Sequence, residues 1–382
     1  MKFSVSRKDF SETLSIVSGA TAKDKNYPVF QCIYLKASDS GLEMQANNRN
    51  LGIVAKIPCN TEEEGEVLLD AKTLIEFVKN IVGEVVTIST NKDANAPIVK
   101  IFDSKTLFTV LTMQPDAFNK VDAIENANSF KMSASVLKNL IGRTAFATVG
   151  ANEMRPIFTG CLLHISKHSD DGLPSVVQMA ATNTHRIAVD YKANTGYINI
   201  DSDLHCIIPA QQLIELSKRL GDGNVQVTPS QKNISFTFDN FIFTFRLIQG
   251  DFPDHTKVTD KNWGSHLTID ATEFLDVVQR VALVAKKTEY GTIKFNIADN
   301  EIEVSADCLD GLTAREMISK VNVEGKGIEI AFNVKYIIDV LKILDGSKCV
   351  MYFNDGKALE PVKFQFENND DFIYVVTPVR TS

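Results

Sequence analysis

The chain has 382 residues, 44% of them apolar and 23% charged, with a formal net charge of −8. That length suits two or three domains with a sizeable core, and the balance of residues excludes extended disorder. Net acidity excludes a protein that grips nucleic acid over its whole surface, but not one that gathers positive charge in one place.

Met1, Lys2, Phe3, Ser4 and Val5 alternate like a strand and lack the apolar run of a signal peptide. No stretch reaches the roughly 18 apolar residues of a membrane span, so a cytoplasmic protein with no membrane partner is expected. Ser6 then stands as the N-cap of a helix over 7–18 carrying Phe10 and Leu14, with Asp9 adding capping-box character. Asp70 precedes a second helix, 71–82, in which Leu74 and Ile75 supply an apolar face. The run from Val99 to Val110 reads as a hairpin, and a polar connector over 113–128 contains Asp116, Phe118 and Val121.

The same order then starts again. Phe130 and Met132 lead through Ser133 into a helix over 133–148 with Leu137 and Ile141. Pro209 precedes a helix over 210–220 with Leu213 and Ile214. A hairpin follows, with Phe236 and Phe238 before a turn at Asp239 and Asn240 and Phe241, Phe243 and Phe245 after it. A second connector, 249–265, carries Asp251, Phe252 and Val258. A third round runs through Leu267 and Ile269, the cap Asp270 with Glu273, and a helix over 271–287 with Phe274 and Val278. It ends with Asn333, a helix over 333–344 with Ile337 and Ile338, and strands around Phe364, Phe366 and Phe372 to Val376. Caps, helices, hairpins and connectors recur in one order, which marks an internal repeat. The expectation is an α+β chain of three similar domains, 1–122, 129–253 and 265–382.

Charge divides unevenly over these elements. The six expected helices hold thirteen Lys or Arg against seven acids, a net of +6, so strands and loops carry −14. A basic residue on a helix is by itself a solvated face. A positive helical layer in an acidic protein suits a surface that meets phosphates, indifferent to base sequence because no base-reading module is present.

The six cysteines (Cys32, Cys59, Cys161, Cys206, Cys308 and Cys349) are scattered without a CxxC pair, and the six histidines form no metal-ligand run. Phosphate-loop, dinucleotide, metalloprotease and hydrolase signatures are missing. No cofactor, metal or catalytic residue is expected, and a non-catalytic binding device is favoured. A protein-binding repeat scaffold that never encircles DNA is the alternative.

Several stretches, in order along the chain, resemble the bacterial sliding-clamp family, the beta subunits of DNA polymerase III. They are Met1–Phe3, Pro28–Leu35, Arg155–Leu163, Ala181–Val189, Asp251–Asp254, Phe332–Tyr336 and Tyr374–Arg380. The resemblance implies a DNA-clamp fold, helices inside and sheets outside a head-to-tail homodimeric ring, and a processivity factor threaded by double-stranded DNA at the replication fork. Such a ring needs a heterologous contact whose rotation closes, and the resemblance places Phe108 and Val110 against Leu283 and Val284 of a second copy. It also implies a pocket for short linear peptides of the polymerase III alpha subunit, the clamp loader, other polymerases and repair proteins. That pocket comprises Phe158, Thr182, Thr184, His185, Arg186, Ile187, Pro253, Lys257, Val258, Asn333, Tyr336, Val375, Val376, Thr377, Pro378, Val379 and Arg380. DNA-facing positions are Lys23, Lys25, Asn152 and Arg155 in loops, and Lys72, Lys79, Lys138, Arg143, Lys218, Arg219 and Arg280 on helices.

The chain departs from the family at Thr184, where glycine is usual, at Thr377, where methionine is common, and at Thr381 and Ser382, which replace an apolar end. Lys257 stands where some members have arginine. A threonine in a left-handed turn implies backbone strain.

Overall fold

A computed structural model describes residues 1–22, 26–90, 98–124, 129–150, 153–166, 176–193, 198, 200, 202–288, 290–298, 300–319 and 321–380. Seven helices occur among them: α1 (Arg7–Val17), α2 (Ala71–Asn80), α3 (Ala134–Thr144), α4 (Ala210–Ser217), α5 (Thr256–Thr259), α6 (Ala271–Ala285) and α7 (Val334–Leu344). The caps explain where they start. Side-chain oxygens of Ser6, Asp70, Asp270 and Asn333 accept from the backbone N–H of Asp9, Thr73, Glu273 and Lys335, satisfying donors that a helix N-terminus leaves orphaned. Pro209 stands at the same place before α4 and makes no side-chain cap bond.

All six expected helices are present; five end earlier than the periodicity predicts, and α7 ends at Leu344 as expected. After α2 the backbone at Ile81 turns extended, and after α3 it tightens into a single 3-10 turn, Ala145–Ala147. The short α5 lies in the second connector, where no helix is expected.

In space the chain forms two compact units, Met1–Ala134 with Leu220–Leu247, and Ser135–Arg219 with Ile248–Ser382. This division cuts through the middle of the three sequence repeats, because strands of the central repeat are built into two different sheets. The repeats are units of sequence, and sheet continuity decides the units of packing.

The first unit holds two antiparallel sheets. One has five strands in the order Asn60–Glu63, Lys2–Ser6, Val85–Thr90, Ile98–Phe102, Leu107–Leu111. The other has eight, in the order Phe130–Ser133, Asn224–Pro229, Asn233–Phe238, Phe241–Arg246, Leu51–Ile57, Gly41–Asn47, Cys32–Ser38, Gly65–Asp70. The expected aromatic hairpin lies here, with Phe238 opposite Phe241 and Asp239 in the left-handed region at φ 47°. Helices α1 and α2 pack together, burying Phe10, Leu14 and Val17 from one and Leu74 and Val78 from the other. Each such side chain contributes on the order of 1.5–3 kcal/mol by leaving water.

The second unit repeats the plan. Its nine-stranded sheet runs Leu204–Pro209, Gly160–Ile165, Val176–Thr182, Arg186–Ala193, Asn369–Val376, Val362–Phe366, Lys348–Phe353, Ser265–Asp270, Asn322–Glu324. Its four-stranded sheet runs Thr313–Ser319, Glu301–Asp307, Thr292–Ala298, Ile328–Asn333. Helices α6 and α7 pack against each other and bury Phe274, Val278, Val281, Ile337, Val340 and Leu344 at helical spacing. No helix among the described residues is long and apolar enough to cross a membrane. Cys32, Cys161, Cys206 and Cys349 are buried, and burial pushes the Cys161 and Cys206 thiols up to about 12 and Cys32 to about 11, so these are core thiols, not nucleophiles.

Candidate functional site

A largely apolar hollow of the second unit is built on one hairpin. Strand Val176–Thr182 turns through Asn183, Thr184 and His185 into Arg186–Ala193. The turn is tight because Asn183 Oδ1 accepts from the N–H groups of His185 and Arg186 at 3.1 and 3.0 Å, while Thr182 Oγ1 accepts from Thr184 N–H at 3.1 Å. This geometry forces Thr184 to φ 75°, the strained conformation anticipated for a threonine at that place.

Arg186 then braces the hairpin. Its guanidinium, nearly buried, donates to Asp339 Oδ2 on α7 at 2.7 Å and to the Phe146 carbonyl at 2.5 Å, and lies 4.5 Å from the Tyr336 ring centroid. Asn183 Nδ2 donates to Tyr336 Oη at 3.1 Å, and Tyr374 Oη donates to the Tyr336 carbonyl at 3.0 Å. The C-terminal strand closes the wall: Arg186 lies opposite Val376 and Ile187 opposite Val375, and the Thr377 N–H and hydroxyl both donate to the His185 carbonyl.

Against this frame sits a cavity of about 260 Å³ lined by Phe158, Thr182, Thr184, His185, Arg186, Ile187, Pro253, Val258, Val375 and Thr377, all expected, together with Asp254, His255 and Pro361. A second hollow of about 1030 Å³ shares His185 and Thr377 with it and takes in Asn333, Tyr336, Pro378, Val379 and Arg380. Its rim carries Lys286, Lys335 and Lys342. Val379 is fixed there by its N–H, which donates to the Ala331 carbonyl at 2.8 Å.

Two expected pocket residues do otherwise. Val376 is fully buried on the opposite face of its strand from Val375, since side chains alternate along a strand, and it packs into the core. Lys257 is exposed and reaches toward Asp254 at 3.8 Å, lining neither hollow. Asp254 ends the quoted connector motif Asp251–Asp254 and His255 follows it, so their position signalled them; nothing local singles out Pro361. Burial holds the His255 imidazole below its ordinary pKa of 6.5, against the opposing pull of Asp254 and Asp260.

Of the expected DNA-facing residues, Lys23, Lys25 and Asn152 lie outside the described residues, as do Thr381 and Ser382. Lys72, Lys79, Arg155, Lys218, Arg219 and Arg280 are exposed, and Lys138 is half-buried. Several carry their own counter-ion: Arg280 with Glu316 at 2.5 Å, Lys218 with Glu215 at 2.7 Å and Arg155 with Glu153 at 3.6 Å. Arg143 is turned inward, 3.3 Å from the fully buried Asp190 and over the Phe366 ring, so its charge serves the core.

The expected dimer residues fall on one edge strand and on a helix that packs on another. Phe108 and Val110 belong to Leu107–Leu111, the outermost strand of the five-stranded sheet, where Phe108 stacks on Phe77 of α2 at 4.3 Å and Leu107 and Leu111 are exposed. Leu283, 70% exposed, and Val284 lie on α6, which packs on Thr313–Ser319, the outermost strand of the four-stranded sheet.

Models of the DNA polymerase III beta subunit match the chain in three consecutive stretches, the N-terminal domain over residues 1–122, the central domain over 131–254 and the C-terminal domain over 256–380. The chain belongs to the DNA polymerase III beta-subunit family. It is 27% identical to the beta sliding clamp of Bacillus subtilis and 26% identical to that of Staphylococcus aureus, with the whole of each chain covered. The fold superposes on the crystal structure of the Bacillus subtilis sliding clamp with a TM-score of 0.92 at 25% identity, and on that of a beta subunit from Eubacterium rectale at 0.89 and 27%, each over both full lengths. As a member of the sliding-clamp family the chain is a DNA-replication processivity factor, and the three-part family pattern agrees with the three rounds of caps, helices and hairpins.

Proposed function

We propose that two copies of this chain close head to tail around duplex DNA and tether polymerases through peptides seated in the hollows beside His185 and Thr377. The observation that carries the reading is the match of all three beta-subunit domains, in order, over nearly the whole chain. Three domains per copy, bounded near 1–122, 129–253 and 265–382, give a ring of six, with the helical layers turned to the DNA. The two open edges support closure: each ends a sheet with no further strand paired to it among the described residues and with apolar side chains nearby, which a second copy would satisfy.

Encirclement holds DNA by topology, so strong phosphate contacts are unnecessary and would impede sliding. Lys72, Lys79, Lys138 and Arg219, which have no ion-pair partner among the described residues, supply a weak positive field, while Arg143, Arg155, Lys218 and Arg280 are wholly or partly neutralised. The small cavity suits one or two apolar anchor side chains of an extended peptide, and the lysine-rimmed hollow beside it suits an acidic or polar residue next to the anchor. The protein itself performs no covalent chemistry in this reading, and a cytoplasmic location follows from its place at the replication fork.

Loaded by a clamp loader onto nicked circular DNA, the protein should stay bound through gel filtration and be lost once the circle is linearised. Equal retention on both forms would rule out encirclement. Removing residues 379–382 should abolish capture of a polymerase tail peptide and leave the dimer, measured by light scattering, unchanged.

A further inference from the structure

In the second unit, strands Gly160–Ile165 and Leu204–Pro209 are antiparallel neighbours at one edge of the nine-stranded sheet, and His164 stands directly opposite His205 in their register. Their rings stack with centroids 4.1 Å apart. Asp203 lies two residues before His205, so the period of two in an extended chain turns it to the same face. One ligand atom from each of His164, Asp203 and His205 lies within 4.8 Å of the other two. Asp203 and His205 are exposed and His164 is half-buried, so the cluster opens to solvent on one side.

A chain of hydrogen bonds decides which nitrogen of His164 is available. It begins at His255 Nε2, which accepts from Gln178 Nε2, whose amide nitrogen has only protons to offer. That orientation turns Gln178 Oε1 to His164 Nδ1 at 3.1 Å, and an amide oxygen can only accept. His164 therefore carries its proton on Nδ1 and its lone pair on Nε2. That Nε2 is buried and has no hydrogen-bond partner among the described residues, a situation native structures rarely leave standing. A carbonyl or amide oxygen holding the far nitrogen of a histidine is the arrangement that orients imidazole toward a metal ion and raises its basicity.

We propose that His164, His205 and Asp203 form a binding site for a first-row divalent transition ion of the Zn²⁺, Co²⁺ or Ni²⁺ class, with Gln178 as the residue that positions His164. Two imidazoles and one carboxylate are the donor set such ions favour, whereas Mg²⁺ and Ca²⁺ require oxygen. Bonds of about 2.0–2.2 Å place ligand atoms roughly 3.4 Å apart around a tetrahedral ion. Binding therefore draws together ligand atoms that lie within 4.8 Å of one another, a rotation that the exposed Asp203 and His205 side chains can make. A fourth position is left to solvent. The ion clamps the edge strand to its neighbour, and the relay from His164 through Gln178 to His255 ends in the wall of the peptide cavity.

The test is calorimetric titration of Zn²⁺ into untagged, chelator-stripped, full-length protein, with the visible spectrum of Co²⁺ as the report on nitrogen coordination. One ion per chain is expected, with Mg²⁺ in excess failing to compete. His205→Ala should weaken binding about 100-fold and Gln178→Leu, which keeps all three ligands, about tenfold. Both substituted proteins should keep the melting temperature of the metal-free parent, which separates lost ligation from lost folding; His164→Gln is the alternative should His205→Ala misfold. Unchanged Zn²⁺ affinity in the His205 and Asp203→Asn variants, or equal displacement by Mg²⁺, would overturn the assignment.

Discussion

Two hairpins, one in each unit, have the same backbone and different surroundings. In the first unit Gly41–Asn47 turns into Leu51–Ile57 with Asn47 opposite Gly52; in the second, Val176–Thr182 turns into Arg186–Ala193 with Thr182 opposite Ile187. Asn48 Oδ1 accepts from the N–H groups of Asn50 and Leu51 as Asn183 Oδ1 does from His185 and Arg186, and Asn47 Oδ1 accepts from Arg49 N–H as Thr182 Oγ1 does from Thr184. Arg49 and Thr184 consequently share a left-handed backbone, at φ 74° and 75°.

The difference lies in what covers each turn. In the first unit Val121 lies so close to Gly52 that a Cβ there would meet its Cγ2 at 2.7 Å, Phe118 stacks on Tyr34 at 5.5 Å, and Arg49 covers the Tyr27 and Phe30 rings. In the second, Ile187 stands at the position of Gly52, and Pro253 and Val258 of the connector stand back to leave the cavity. One backbone plan yields a closed surface or a binding hollow, according to a few side chains on the turn and the connector.

The largest expected effect separates the residues that follow the two turns. Arg186→Ala strands Asp339 and should cost roughly 3–5 kcal/mol of stability in urea titrations, because breaking a buried ion pair leaves an uncompensated charge. Leu51→Ala, at the equivalent half-buried position, should cost about 1 kcal/mol. Similar losses at both sites would remove the brace from the account. Next in size, Gly52→Ile copies the second hairpin into the first and drives a side chain into Val121, for about 1–3 kcal/mol of overpacking. Adding Val121→Ala should recover most of that loss, and a simple sum of the two single effects would show that the contact is unimportant.

Thr184→Gly should raise the denaturation midpoint, worth about 1 kcal/mol, by relieving a β-branched residue at positive φ. Arg49→Gly gains the same relief but forfeits cation–π cover worth about 0.5–1 kcal/mol, so its midpoint should barely move.

The smallest effect concerns the first connector, where Lys120 is held by Glu66 at 3.2 Å and by the Tyr34 ring. The Tyr34 hydroxyl, then Lys120, keeps the Glu66 carboxyl below its ordinary 4.5. A depressed carboxyl makes the unfolded chain the stronger proton binder, so its contribution is complete above 4.5 and is lost as pH falls through the folded value. Melting temperature should thus decline more steeply below pH 4.5 in the parent than in Glu66→Gln; parallel profiles would place the connector's hold elsewhere.

Much of this molecule is written in local chemistry. Ser6, Asp70, Asp270 and Asn333 mark helix starts because a cap needs one side-chain oxygen at one position, and Asp239 marks a hairpin because a two-residue turn needs a tolerant φ. Resemblance to a family located most of the cavity wall in the same way, through residues close together in the chain. Other features depended on distant partners. Arg143 reads as a surface cation until Asp190 is found beside it, and Val375 and Val376 are alike in sequence until the strand assigns them to opposite faces.

By itself the amino-acid order determined the repeat, the caps, the alternating strands and the split between basic helices and acidic strands, since each is a property of neighbours. Tertiary structure alone decided that three repeats pack as two units, that Val121 closes one turn while Val258 leaves the other open, and that His164 faces His205. Those outcomes depend on which strands pair and in what register, and a strand's preference for a partner far along the chain leaves no mark in its own few residues.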